Sequence, residues 1–285
     1  MTRISGWKHA LALSLGLLAV AAGSARAAEK PAPKPFADAD HVIYSLAHGA
    51  IVPKAAGDVT YHGGPLIASA NVVLIFWGPT FANPTSPDYT YAQSLQSFRN
   101  VLGTSSSWTM MAQYGIQSSD LGAGTPDWFD TSTPPTDVTD SSARAEINRY
   151  LASHAYDSST IYEVVLPSTS YSSSGSSTSC GGPGLAYCAY HSSYSSPSGI
   201  ALYQVLPYPS CSGCQISGWS TAQVEEHFLC FDARDTVTDP QGSGWYDKNF
   251  AEICQKCSWT TPPSPTSISH ICGKAWSNDV HGCVY

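Results

Sequence analysis

At 285 residues with a formal charge of −8, the chain offers one sizeable core or two small ones. With no Lys/Arg cluster, it is a poor partner for nucleic acid or an anionic membrane. Only 12% of its residues are charged, while Ser, Thr, Tyr, Gly and Pro abound, which suits a rigid, loop-rich protein with a hydroxylated surface.

The N-terminus reads as an export signal, residues 1–27. Arg3 and Lys8 precede an apolar run over 10–22, and Ala25-Arg26-Ala27 is an A-x-A cleavage site. The run is about 13 residues, short of the roughly 20 a membrane span requires, and no second one follows. A secreted protein is the expectation. No N-x-S/T acceptor occurs, since Asn83-Pro84-Thr85 is blocked by its proline, so N-glycans are not expected. Residues 28–56, rich in Pro, Lys and Ala at the start, read as an extended linker or pro-segment before a domain over 57–285.

Within that domain, NVVLIFW (71–77) is a buried strand closed by Gly78-Pro79. Residues 91–102 carry Leu95, Phe98, Val101 and Leu102 at helical spacing, and 107–114 continue as a second helical piece. Residues 125–139, rich in Pro, Asp and Thr, read as loop. A helix starts at Asp140 and carries Ile147, Tyr150, Leu151 and His154 on one face. IYEVVL (161–166) is a strand, the serine-rich 168–179 a surface loop, and 185–190 and 200–206 two further strands, in a possible hairpin arrangement. The last helix covers 221–235, in a segment stopped by Asp239-Pro240. The order predicts an α/β (α+β) fold, a mixed sheet with packed helices in one domain.

All nine cysteines fall between Cys180 and Cys283, which predicts a disulfide-stapled C-terminal region. Sequence proximity favours Cys180–Cys188 and Cys211–Cys214, two more bridges among Cys254, Cys257, Cys272 and Cys283, and Cys230 as the odd thiol. Zinc held by the C-x-x-C pairs Cys211/Cys214 and Cys254/Cys257 is the competing reading, which export disfavours.

The last helix concentrates the ionisable side chains. Val224, Phe228 and Phe231 form its buried stripe, and Glu225, Asp232 and Asp235 lie off it. Asp232 and Asp235 are the candidate catalytic acids or ligands for a hard cation, with His227 and Asp239 as further metal candidates; zinc and calcium are the ions considered. His227 lacks a second imidazole four residues on, Phe231 standing there, so no zinc-protease motif is present and a solvated acidic face is the favoured reading. His191, beside Ser192 and Ser193, is the candidate base for a serine nucleophile, although no G-x-S-x-G elbow accompanies it. His62, in a Tyr-His-Gly-Gly-Pro turn, reads first as turn structure. His154, His270 and His281 have no spacing that argues for a role. Trp219, Trp245, Tyr246, Trp259 and Trp276, in turn-rich sequence, raise a carbohydrate-binding reading, since such rings stack on sugar faces.

YHGGPLIASANVVLIFWG (61–78), YCAYHSS (187–193), TVTDPQGSGWYD (236–247) and WSND (276–279) resemble the phosphate-induced protein family, the Exordium and Exordium-like proteins, from about Gly57 to the end. The resemblance implies an extracellular, cell-wall (apoplastic) protein linked to growth and cell expansion. Microbial relatives carry H-E-x-x-E-A-x-T-D-P, which resembles a zincin helix and implies a zincin-like sheet. Here the ligand His falls on Phe231, the base on Asp232 and the second acid on Asp235; Thr238, Asp239 and Pro240 are retained. A phenyl ring offers a metal no lone pair, so the resemblance implies the scaffold and weakens catalysis. Glu252-Ile253 and Cys257-Ser258-Trp259 resemble the next segment of the family, with Cys254 as an extra cysteine whose implied partner is Cys272. Three functions follow as expectations: a non-enzymatic wall or matrix factor; a metallohydrolase in which His227 or His191 replaces the missing ligand; and a module that binds cell-wall polysaccharide.

Overall fold

The computed structural model describes residues 42–50, 56–124, 126–260 and 270–285, all within one compact unit. The expected signal and residues 28–41 lie outside them. β1 (Ile43–Leu46) comes from the segment the sequence marks as linker, and it is a paired strand of the fold. A two-residue β2 (Thr60–Tyr61) precedes β3 (Asn71–Trp77), buried along nearly its whole apolar run. Helix α1 (Pro87–Leu102) begins where the Ser86 side chain accepts the Asp88 N–H and Pro87 takes the first turn. It turns Leu95, Phe98 and Leu102 inward and leaves Val101 exposed. A short α2 (Ser106–Thr109) passes into a 3₁₀ turn over Met110–Tyr114.

The stretch expected as loop over 125–139 contains two short strands, β4 (Trp128–Asp130) and β5 (Asp137–Thr139). Thr139 then caps α3 (Asp140–Leu151) by accepting the Ser142 N–H. After β6 (Thr160–Val165), the serine-rich segment is not a free surface loop. It forms β7 (Tyr171–Ser174) and β8 (Ser177–Thr178), with Ser172 and Ser179 buried. The Ser172 hydroxyl meets that of Tyr187 at 2.9 Å, and its N–H donates to Ser179 Oγ, so small hydroxyls are satisfied where larger polar groups would not fit. β9 (Tyr187–Ser196) and β10 (Gly199–Leu206) form the expected hairpin. Helix α4 (Thr221–Thr238) follows, then β11 (Trp245–Tyr246), β12 (Ala275–Ser277) and β13 (Gly282–Val284).

The main sheet has six strands in the order β1-β9-β10-β6-β3-β4. Strands β10, β6, β3 and β4 run parallel, and β9 is antiparallel to both its neighbours. Helices α1 and α4 cover one face, over Val72, Leu74, Phe76, Ile161, Val165 and Leu206. Helix α3 covers the other, where Ile147 and Tyr150 pack among Val73, Ile75, Tyr162 and Val164. Each fully buried aliphatic or aromatic side chain here stabilises the fold by about 1.5–3 kcal/mol. The α/β class and mixed sheet agree with the sequence; the zincin-like form expected from the resemblance is not established by this layering. No helix among the described residues is long and apolar enough to cross a membrane.

Four disulfides staple the C-terminal half: Cys180–Cys211, Cys188–Cys214, Cys230–Cys272 and Cys257–Cys283. None is a local pair, so the expected Cys180–Cys188 and Cys211–Cys214 bridges and the Cys254–Cys272 bridge implied by the resemblance are corrected. Cys188 sits on β9, and the 211–214 turn lies across the end of that strand, where His48 donates to the Gly213 carbonyl. Each cysteine of the turn therefore meets a partner about 30 residues upstream rather than its sequence neighbour. Cys230 is bridged, and Cys254, buried, is the free thiol. Alkylation of the non-reduced protein should label nothing in the native state and Cys254 alone in denaturant, read by peptide mass mapping. Label on Cys230 would refute this pairing.

Candidate functional site

The strand register builds a row across the sheet on the face that α4 covers. Leu74, Glu163, Gln204, His191 and Ile43 stand side by side on β3, β6, β10, β9 and β1. The ends of the row are ordinary core, and the middle is polar. Glu163 lies two residues from Ile161 and from Val165, which belong to the α1/α4 core, so the two-residue repeat of a strand aims its carboxyl at the same layer.

Helix α4 supplies the opposing acids. Its start is set by a capping box in which Ser220 and Gln223 satisfy each other's backbone N–H groups, and its end is closed by Asp239, whose Oδ1 accepts the Gly244 N–H at 2.6 Å. Between these ends Glu225, Asp232 and Asp235 are all 0% exposed. The solvated acidic face favoured from the sequence is thus corrected: there is no solvated face. The Val224/Phe228/Phe231 stripe exists, but the segment after α4 covers the opposite side. The Ile271 N–H donates to Glu226, Arg234 donates to the Gly273 carbonyl at 2.7 Å, and Cys230–Cys272 ties the layers together.

That covering segment adds a further acid. Asp247 accepts the N–H groups of Asn249 and Ala251 through Oδ1 and pairs with Lys256 through Oδ2 at 3.0 Å. This tight turn, with Phe250 in the left-handed region at φ 65°, delivers Glu252 inward. His191 then lies between two carboxyls: Nδ1 is 3.4 Å from Asp232 Oδ1, and Nε2 is 3.3 Å from Glu252 Oε2. Ser45 Oγ donates to Asp232 Oδ1 at 2.6 Å, and Asp235 Oδ1 accepts the Cys254 N–H at 2.8 Å. Neither oxygen of Glu163 has a hydrogen-bond partner.

Five buried carboxyls around one imidazole cannot all be ionised in a dry layer. Burial would push the His191 pKa down, but Glu252 and Asp232 outweigh it and hold the ring's pKa well above its usual value. Burial raises Glu163, against partial opposition from Arg99, and raises Glu225 and Asp235, the last reinforced by Glu252. The cluster therefore stores protons. His191 and the acids are at most 3% exposed.

The structure brings His191 and Asp232 together with Asp235 in the same buried layer, and sets Asp239 and His227 apart. Asp235 turns to the Cys254 backbone, Asp239 closes the helix, and His227 lies a turn before Phe231, packed against it at 5.9 Å between ring centres. Among the described residues, the only group of His, Cys, Asp or Glu with mutually close ligand atoms is Cys180, Cys211 and Cys214, whose sulfurs are in disulfides. Phe231 stands where the resemblance places the ligand His, so the zinc ion it implies would lack that ligand, and the disulfides of Cys211, Cys214 and Cys257 leave no C-x-x-C zinc site, the alternative already disfavoured. His62 stacks on Tyr246 at 3.7 Å, His154 on Tyr150 at 4.0 Å, and His270 and His281 pair with Glu226 and Asp58.

An open cleft lies on the other side of Phe231. It encloses about 200 Å³ and is lined by His48, Gln215, Ile216, Ser217, His227, Trp259 and Thr260. A smaller recess beside it is bounded by Ser45, Phe231 and Trp259. Ser45 and Phe231 thus form the wall between cleft and cluster. Sequence reasoning missed Glu163, Gln204 and His48; a Glu in the middle of the apolar IYEVVL run was the available signal for the first.

A raised carboxyl pKa contributes stability that is whole below the unfolded glutamate value of about 4.3 and is lost as pH climbs toward the native value. His191 acts with the same sign, from about 6.5 upward. Thermal stability should therefore fall from mildly acidic to alkaline pH. Glu163→Gln should melt higher than the parent near pH 8, at about 2–4 °C per kcal/mol gained, and equal it near pH 4. An unchanged or lower midpoint at pH 8 would mean Glu163 is ionised and paired.

No protein-family profile, curated protein or solved structure matches the chain.

Proposed function

We propose that the chain is a secreted, non-catalytic binding protein of the Exordium-like type, acting on the polysaccharide or matrix outside the cell. The export signal, the family-like segments and four disulfides support an extracellular setting. One observation carries the binding reading: the reactive groups are sealed, while the open cleft presents Trp259 and neutral polar side chains. General acid or base work requires hydrogen-bond reach to a substrate, which His191 and Asp232 lack. A small, mostly preformed concavity with an aromatic wall and a few polar groups suits ligand binding.

A metallohydrolase is the second reading, favoured by the position of His191, Asp232 and Glu252 one layer beneath Phe231. Incubation with insoluble wall polysaccharides and with a peptide library separates the two. The expected outcome is co-sedimentation with at least one polysaccharide and no release of soluble sugar or peptide. Product release that Asp232→Asn abolishes would overturn the binding reading in favour of the hydrolase.

A further inference from the structure

Trp259 is held in a costly conformation. Its φ of 56° lies in the left-handed region, a true outlier for a bulky residue. The surrounding contacts over-determine it. Its indole N–H donates to the Leu46 carbonyl at 3.0 Å, the Thr260 N–H and hydroxyl both donate to the Cys257 carbonyl, and Cys257 is bridged to Cys283. With the N–H already engaged, the ring offers its apolar face, tilted beside the His48 imidazole at 4.6 Å between centres.

At the floor of the same cleft, His227 is 8% exposed; its Nδ1 is buried on the side of Gly273, with no hydrogen-bond partner. Aromatic rings hold it: Phe228, Phe231 and Trp259 lie 5.1, 5.9 and 6.3 Å away between centres. Gly273 makes room for it, since a Cβ there would come within 2.3 Å of the imidazole. Burial, with Arg234 nearby, pushes its pKa down to about 3, so the ring stays neutral. Gln215, Ser217 and Thr260 complete the wall, and among the described residues no Asp, Glu, Lys or Arg lines it. An anionic ligand would meet no Lys or Arg among the described lining residues and a protein of formal charge −8 around it. The volume, about 200 Å³, is below the roughly 300–1,000 Å³ of clefts that enclose drug-sized ligands, so it takes a single ring.

We propose that this cleft binds one uncharged, hydroxyl-bearing ring, a neutral pyranose unit of a polysaccharide, stacked on Trp259 with His227 and the neutral side chains meeting its hydroxyls. The proposal rests on the binding reading above and names its site and ligand class. A sugar ring has an apolar C–H face for the indole and a rim of hydroxyls that donate and accept, which matches a wall of one locked aromatic and uncharged polar groups.

The test is titration calorimetry on the full exported chain, followed in parallel by tryptophan fluorescence. The probes are neutral hexasaccharides of glucose, mannose, xylose and galactose, and a hexasaccharide of galacturonic acid. At least one neutral probe should bind and the uronate should not. Trp259→Ala should weaken binding about tenfold or more, and Trp259→Phe, which keeps an aromatic face, should lie between it and the parent. His227→Phe, which keeps the ring and removes its nitrogens, should weaken binding severalfold. If neutral binding survives both Trp259 variants and is lost instead on changing Tyr61 and Trp245 to Ala, the site is elsewhere. In that case this proposal fails while the binding reading stands. Binding of the uronate alone overturns the ligand class. Failure of every hexasaccharide overturns the proposal, and the co-sedimentation result then decides separately whether the broader reading survives.

Discussion

The enclosure of α4 governs this molecule. A surface helix keeps one polar face in water, but from Val224 to Thr238 this one has none. Its inner side lies on the sheet, and its outer side is closed by irregular chain that a disulfide and backbone hydrogen bonds bind to it. Every acid on the helix must then be protonated, paired or hydrogen-bonded. The polar row on the sheet answers that requirement: Glu163, Gln204 and His191 occupy positions that would otherwise be aliphatic, beneath a helix that carries acids where they cannot be hydrated.

One helix therefore serves two environments a single turn apart. Asp232 faces the sealed cluster through Ser45 and His191, and His227 faces the open cleft. Phe231 lies between them. A large apolar side chain at that point excludes water from the acids and keeps their carboxyls out of the cleft. The most ionisable groups are thus the buried ones, and the plainest are accessible.

Much of the fold was legible in the chain. NVVLIFW, the β9/β10 hairpin and the start of α3 at Asp140 carry strong local signals: a continuous apolar run, paired strand patterns and a capping residue. The short strands β4, β5 and β7 were not legible, because each has only three or four residues and its pairing is set by neighbours far along the chain. The acidic helix misled for a similar reason. Its apolar stripe predicts one buried face, and the cover over the other face is built from turns with no periodicity to read. Cysteine spacing suggests local bridges, but the partners of Cys211 and Cys214 are decided by where the turn that carries them crosses β9. For the candidate site, Asp232 and His191 could be picked out, but their meeting could not, since it depends on strand register and on a turn that delivers Glu252 from beyond the helix.

Strand β1 bears on what an N-terminal cut would do to the chain. It forms one margin of the main sheet, its Tyr44 ring packs at 4.9 Å on Tyr187, and its Ser45 is hydrogen-bonded to Asp232. Trimming the polypeptide from its N-terminus is harmless only while the cut stays upstream of this strand. A cut beyond it would strip β9 of a neighbour and leave a row of unpaired backbone groups, the template on which sheets of separate molecules join. It would also break the wall between the sealed acids and the cleft. The sheet itself thus marks β1 as chain that an N-terminal cut must spare.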